Sequence, residues 1–445
     1  MRLPLLLLAA AGLLGAQSTP IAFTGARIIP IAGPEIASGT VVVHQGKITA
    51  VGGPQTAIPP NAQRINAAGK VIMPGLVDSH SHIGQVEGAD STAPLQPDVR
   101  VLDALNPRAS SIKRARAGGI TTVNVMPGSG HLLSGQTLYI KLRLADTVDG
   151  LLIPLPDGTP AGGIKMANGT NPRRNAPFPG TRAKAAALVR EQFIKAQEYQ
   201  AKVAAAAGDA SKLPPRDLRM EALGEVLSGK RVVQHHTHRH DDILTVLRLA
   251  KEFNFRVVLH HVSDGWAVAG EIAKANTLGA SLILIDSPGG KLEAKDNRLV
   301  TGAILDRAGV NTGFHTDDGV TDSRWFFRMA ALGVRAGMAR DKALYALTMA
   351  NARMLELEKR VGSLEPGKDA DLIILSGDPL SVYTKVEQTW IEGQKVFDLA
   401  NPADRLALTG GYGAGSDGAL MHLDECGGFT LGLDFRNMNL SGDLN

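Results

Sequence analysis

From Val71 to His315 the chain repeats one unit, a short β-branched run followed by a stretch with helical character. The strand-like runs are Val71-Ile-Met-Pro-Gly-Leu-Val-Asp78, Gly119-Ile-Thr-Thr-Val-Asn-Val125, Gly163-Ile-Lys-Met166 and Arg231-Val-Val-Gln-His-His236. Phe255-Arg-Val-Val-Leu-His-His261, Ser281-Leu-Ile-Leu-Ile285 and Asn311-Thr-Gly-Phe-His315 complete the series. Helical stretches fall at 182–206, 241–253 and 323–333. Strand-then-helix repetition implies a parallel sheet with helices packed on it. Seven such runs, with an eighth expected around Leu151, predict an α/β fold with a (β/α)8 TIM-like barrel over residues 71–358.

The flanks have a different texture. From Ile21 to Gly53, β-branched runs (Ala26-Arg-Ile-Ile, Gly39-Thr-Val-Val-Val, Gly46-Lys-Ile-Thr-Ala-Val-Gly) are split by Gly and Pro turns, and read as small antiparallel strands. The pattern returns as Asp371-Leu-Ile-Ile-Leu and as a strand-turn-strand from Val386, with Gly393 at the turn. Residues 18–70 and 359–400 are therefore expected to meet in one small composite β module built from both chain ends. The Gly-rich stretch 401–445 has no assignable role. At the start, Met1-Arg2, an apolar run from Leu3 to Leu14 and the small residues before Ser18 have the pattern of a secretory signal peptide over 1–17. The expectation is an exported protein, periplasmic or extracellular, with no membrane span in its mature form.

Composition narrows the partners. Of 445 residues, 47 are basic and 43 acidic, and only 4% are aromatic. No basic block or aromatic surface stands out, so nucleic acid is excluded as the expected partner. The single cysteine, Cys426, allows neither an intrachain disulfide nor a CxxC metal site, so any metal must be held by His and carboxylates. Apolar positions on the 182–206 helix would suit a homo-oligomeric contact.

The histidines carry the chemistry. Nine of the 12 fall at the C-terminal ends of four strand-like runs: His80 and His82; His235, His236, His238 and His240; His260 and His261; and His315. In a (β/α)8 barrel those ends form the face that carries the active site, and converging imidazoles there predict a metal centre. His80 and His82, two apart on a strand, project to one side. His236, His238 and His240 share a face, with His236 the expected ligand because it ends the strand; His238, Arg239 and His240 are expected substrate contacts, as is His315. Strand alternation lets only one of His260 and His261 enter the barrel mouth, and His261 is preferred. Asp317 can bind a divalent ion and accept a proton, whereas Asp318 reads as a loop or helix-cap acid. Lys165, ending an apolar strand, is either a surface-seeking lysine or a carbamate able to bridge two ions.

Taken together, Met73-Pro-Gly-Leu-Val-Asp-Ser-His-Ser-His82, Gly118-Gly-Ile-Thr-Thr-Val123, the strand-end histidines, Thr316-Asp317 and Val361-Gly-Ser-Leu-Glu-Pro-Gly-Lys-Asp-Ala-Asp-Leu-Ile-Ile-Leu375 resemble the amidohydrolase superfamily. The likeness is to exported imidazolonepropionase-like and prolidase-like bacterial members, and covers about residues 20–398. It implies a (β/α)8 barrel whose β module, built from 18–70 and 359–400, is a small β-sandwich, and two divalent ions, zinc foremost: one on His80, His82 and Asp317, the other on His236 and His261, with carboxylated Lys165 between them. Lys141 competes with Lys165 for the bridging role. The implied reaction is hydrolysis of a C–N bond in a small amide or short peptide, by a water that the metals activate and Asp317 deprotonates as general base. The alternatives are a mononuclear cyclic-amide hydrolase or deaminase, and a non-catalytic exported metal-binding protein.

Overall fold

The computed structural model describes residues 18–86, 88, 90–284 and 291–410. The signal-peptide reading of 1–17 and most of the tail lie outside the described residues. Within 401–445, the segment Pro402–Thr409 forms a helix capped by the Asn401 side chain, with Pro402 in its first turn; the Gly-rich reading starts too early by about one helix.

The chain ends do meet in a sheet. Ile21–Ile28 pairs antiparallel with Ile36–His44 and parallel with Val71–Pro74, which in turn pairs antiparallel with Leu372–Leu375. Lys47–Gly52 extends one edge, Val386–Ile391 and Gln394–Asp398 the other, and Gln63–Asn66 joins Ile21–Ile28 to give eight strands. Phe23, Val41, Val43, Ile72, Leu372 and Trp390 fill a separate apolar cluster there, with Trp390 edge-on to Phe23.

At Gly75 the chain leaves this sheet. A Cβ at that position would sit 2.3 Å from the Thr121 side chain, so only glycine lets the chain turn so close to its neighbour. The single run read from Val71 to Asp78 is thus two strands, Val71–Pro74 and Leu76–Ser81. The second pairs parallel with Ile120–Val125.

Five strands form a wholly parallel array: Ile164–Ala167, Val233–Thr237, Val257–His261, Thr277–Leu282 and Thr312–Phe314. All are buried along nearly their full length, as a sheet covered on both faces requires. Two expectations need correction. The segment around Leu151 is a 3-10 turn, Val148–Leu151; two short strands, Leu133–Gln136 and Leu138–Lys141, are added antiparallel to Ile164–Ala167 and Ile120–Val125 respectively. The strand read at Ser281–Ile285 begins earlier, at Thr277. Among the described residues no strand ladder joins Thr312–Phe314 to Leu76–Ser81. Asn351 spans that seam instead, its Nδ2 donating to Val77 O and Phe314 O at 2.6 Å each.

Helices cover the array. Arg182–Ala205 starts where the Thr181 hydroxyl accepts the Lys184 N–H. It buries Ala185, Val189, Phe193 and Ala196, a spacing that keeps one stripe inward. Phe193 stacks on Phe253 and Phe255 with centroids 5.1 Å apart; burying a ring of that size is worth about 1.5–3 kcal/mol. Among the described residues no helix is long and apolar enough to cross a membrane.

Candidate metal centre

The parallel strands end together, and their last side chains converge. Leu76–Ser81 delivers His80, with His82 just beyond it; Val233–Thr237 delivers His236, with His238 two residues on; Val257–His261 delivers His260 and His261. His315 and Asp317 follow Thr312–Phe314. All are buried. Two donor groups have ligand atoms within 4.8 Å of one another: His80, His82 and Asp317, and His236, His238 and His261. His80, His260 and His315 form a third such group. His80 and His261 link the groups, with ring centroids 5.1 Å apart.

Hydrogen bonds fix which ring atoms face the centre. Met126 O can only accept, so the 2.8 Å contact from His82 Nδ1 places the proton on that atom. The His82 Nε2 lone pair is left toward Asp317 Oδ1, 2.9 Å away. Asp317 Oδ1 lies 3.3 Å from His80 Nε2 and its Oδ2 3.9 Å from His261 Nε2, so one carboxylate faces both groups. His238 Nδ1 is 2.8 Å from Ser263 Oγ, and His315 Nδ1 is 3.0 Å from Ser281 Oγ. In both rings Nε2 is buried with no hydrogen-bond partner among the described residues, as is His261 Nε2. A buried polar atom left without a partner is costly unless something else fills the position. Here several such atoms point into one space, and all are good ligands for a divalent ion.

The protonation states agree with that use. Burial drives the His80, His236, His260 and His261 imidazoles well below their ordinary range, and His238 and His315 to about 3, so every ring is neutral with a lone pair to give. Burial pushes the Asp317 carboxyl up, but its close contact with His82 and the positive charge of Lys165 outweigh it and hold it below the usual carboxylate range. Asp317 is therefore ionised near neutral pH.

Lys165 is fully buried, its Nζ 2.9 Å from His80 Nε2 and 3.3 Å from Met126 Sδ. Lys141, equally buried, lies elsewhere, held by Asp369 at 2.5 Å, Asp371 at 3.0 Å and Glu392 at 3.2 Å. Of the two, Lys165 is the one that stands among the histidines.

Other expected residues are placed differently. His238 and His315 face the centre. Arg239 forks onto Asp241 at 2.9 and 2.8 Å, and His240, with a half-exposed side chain, opens the helix His240–Phe253 beside Asp264. His260 and His261 were expected to face opposite ways, yet both reach the donor groups, because His261 has φ +71° and breaks the alternation at the strand end. His260 is also held by Gln234 Oε1, 2.7 Å from its Nε2. Asp318 accepts from Ser323 N and Oγ, as a loop acid.

Three contributors have weaker signatures in the sequence. Met126 acts through its carbonyl, and Asn171 places Nδ2 3.3 Å from His236 Nε2. Asp78, two residues before His80, accepts from His80 N, Thr316 N and Thr316 Oγ1, and so ties the first strand to the segment carrying Asp317.

The profile of the Amidohydrolase family matches residues 71–396. The amidohydrolase tasK of Hapsidospora irregularis is 28% identical over 392 residues, which are 81% of this chain and 40% of that protein. The chain thus spans about two fifths of that relative's length. The 5-methylthioadenosine/S-adenosylhomocysteine deaminase of Symbiobacterium thermophilum is 25% identical over 407 residues, 80% of this chain and 84% of its own. Among solved structures, an amidohydrolase from Thermotoga maritima is 35% identical, with a TM-score of 0.80 over 85% of this chain and 100% of its own. With the matched profile spanning the strands, the histidine groups and Asp317, this chain belongs to the amidohydrolase family.

Proposed function

We propose that the protein is a metal-dependent hydrolase that cleaves a non-ester C–N bond, most directly an amide, in a small molecule or short peptide. The observation that carries this reading is the pair of buried donor groups sharing Asp317, with Lys165 Nζ beside His80. His80, His82 and Asp317 would hold one divalent ion, and His236 and His261 a second, zinc being suited to the imidazole and carboxylate set. Bound there, the ions would lower the pKa of a water to near neutrality and polarise the scissile carbonyl.

The chain's own groups do the rest. Asp317, ionised and facing both donor groups, takes the proton from the attacking water and returns it to the leaving nitrogen. The His82 hydrogen bond to Met126 O holds that ring in one tautomer. A carbamate on Lys165 would replace a positive charge by a negative one where two cations have to be held. The strand ends are read as one closed eight-stranded barrel with the eight-stranded sheet as part of a β-sandwich, and the mature protein as exported.

A second reading, a mononuclear enzyme that deaminates a ring, is favoured by the likeness to the Symbiobacterium thermophilum deaminase as far as the reaction goes. The two separate on Lys165→Ala, which disables the binuclear hydrolase and spares the mononuclear enzyme. Turnover across dipeptides, N-acyl amino acids, cyclic amides and aminopurines tests both. Full activity in His80→Ala and Asp317→Asn variants would sink either one.

A further inference from the structure

Arg239 was an expected substrate contact, but Asp241 takes the Nε and Nη2 edge of its guanidinium. Two other cations stand near the donor groups without such a partner. Arg173 follows the strand that carries Lys165. It is half-buried, and its Nε is shielded from solvent with no hydrogen-bond partner among the described residues. Its neighbour Arg174 is engaged, Nη2 on Gly130 O and the guanidinium 4.2 Å over the Phe178 ring. Lys291 stands two residues before Glu293, whose carboxylate packs against the segment that carries Asn171 and Arg173.

The two loops are clamped together beside His236. Glu293, two residues after Lys291 and 8% exposed, accepts the Thr170 N–H at 2.8 Å through Oε2. Its carboxylate fills the space a Cβ on Gly169 would need, at 2.5 Å. Asn171, next along, places Nδ2 3.3 Å from His236 Nε2. Arg173 and Lys291 are therefore each two residues from a contact that fixes their loop, and Asn171 ties that pair of loops to the metal centre. Among the described residues neither cation has a carboxylate within ion-pair distance. A guanidinium with a desolvated N–H and no acceptor is poised for an anionic acceptor.

We propose that Arg173 and Lys291 form the subsite for a substrate carboxylate, so that the molecule hydrolysed is an N-acyl amino acid or a peptide with its C-terminal carboxylate next to the scissile bond. This rests on the hydrolase reading above and narrows its substrate class. The carboxylate accepts from the guanidinium and the ammonium, and the scissile carbonyl then faces Asp317.

The test is calorimetric binding to the zinc-loaded full chain of two matched sets: N-acetyl amino acids with small, branched, aromatic, acidic and basic side chains, and the corresponding N-acetyl amino acid amides. At least one free acid should bind tenfold or more tighter than its amide. Arg173→Ala and Lys291→Ala should each lose about tenfold for that acid, closing the gap, and Lys291→Arg should restore most of it. Thermal melting of each variant reports on folding. Equal binding of acids and amides, proportional loss of both in the variants, or no binding by any free acid would overturn the proposal. Metal content and turnover of neutral amides, measured on the same samples, show separately whether the hydrolase reading stands.

Discussion

Asp317 is the residue on which the site turns, because its two oxygens face different donor groups and, among the described residues, no other carboxylate does so. Asp317→Asn keeps the shape and removes both the charge and the proton acceptor. Turnover by that variant should fall by about 10²–10⁴-fold with the melting temperature little changed, as steady-state kinetics beside a thermal melt will show. Much at this scale was legible beforehand: a strand ending in His-Ser-His puts both rings on one side, and His80 and His82 do lie together. What was not legible was a change of backbone hand. Strand alternation assigns His260 and His261 to opposite faces, and the positive φ at His261 brings both in. Arg239 shows a related limit. A sequence shows a guanidinium near the site but not that Asp241, two residues on, reaches it first.

Among the elements, the helix Met349–Met354 has a part that no periodicity announces. Its Asn351 side chain supplies the hydrogen bonds that a strand ladder would otherwise make between Leu76–Ser81 and Thr312–Phe314. Gly313 leaves room for it, since a Cβ there would meet Asn351 Oδ1 at 2.2 Å. Asn351→Leu would strand two buried carbonyls and should cost about 2–4 kcal/mol in urea unfolding; a loss below about 0.5 kcal/mol would mean the seam is held by other contacts. Gly313→Ala should also destabilise, through the same pair. The parallel strands were readable as β-branched runs, and their order followed from the helices between them. The Leu133–Lys141 region was not, because short strands with Ser, Gly and Thr carry little apolar pattern, while Leu151 sits in an apolar stretch that turns instead of extending.

Across the whole molecule, the two parts are tied by a buried charge cluster. Lys141 ends a strand beside the parallel array, and its partners Asp369, Asp371 and Glu392 belong to the returning segment. Burial raises the Asp369 carboxyl, but the charge of Lys141 outweighs it and holds Asp369 at about 2. Glu392, likewise raised by burial, is brought to about 2 by Arg143 and Lys141. Ordinary values are about 4, so the unfolded chain binds protons first. Their stabilisation is complete above about pH 5 and is lost as the pH falls toward 2. Asp371, raised by burial, opposes the other two. Melting temperature followed from pH 6 to pH 3 should therefore drop. Lys141→Met should flatten that slope and cost about 3–5 kcal/mol at neutral pH, since it removes the fully buried cation of the cluster and leaves Asp371 without one among the described residues. An unchanged profile in the variant would remove the cluster from the account.

The central claim is a binuclear metal centre, and its most direct test is metal equivalents per chain of the purified protein by plasma mass spectrometry, with Lys165→Ala alongside. The account predicts about two divalent ions in the parent and a loss of at least one in the variant. A parent that takes up no metal, even when supplied with zinc and bicarbonate, would contradict it, and a parent holding one ion that Lys165→Ala retains would move the assignment to the mononuclear reading.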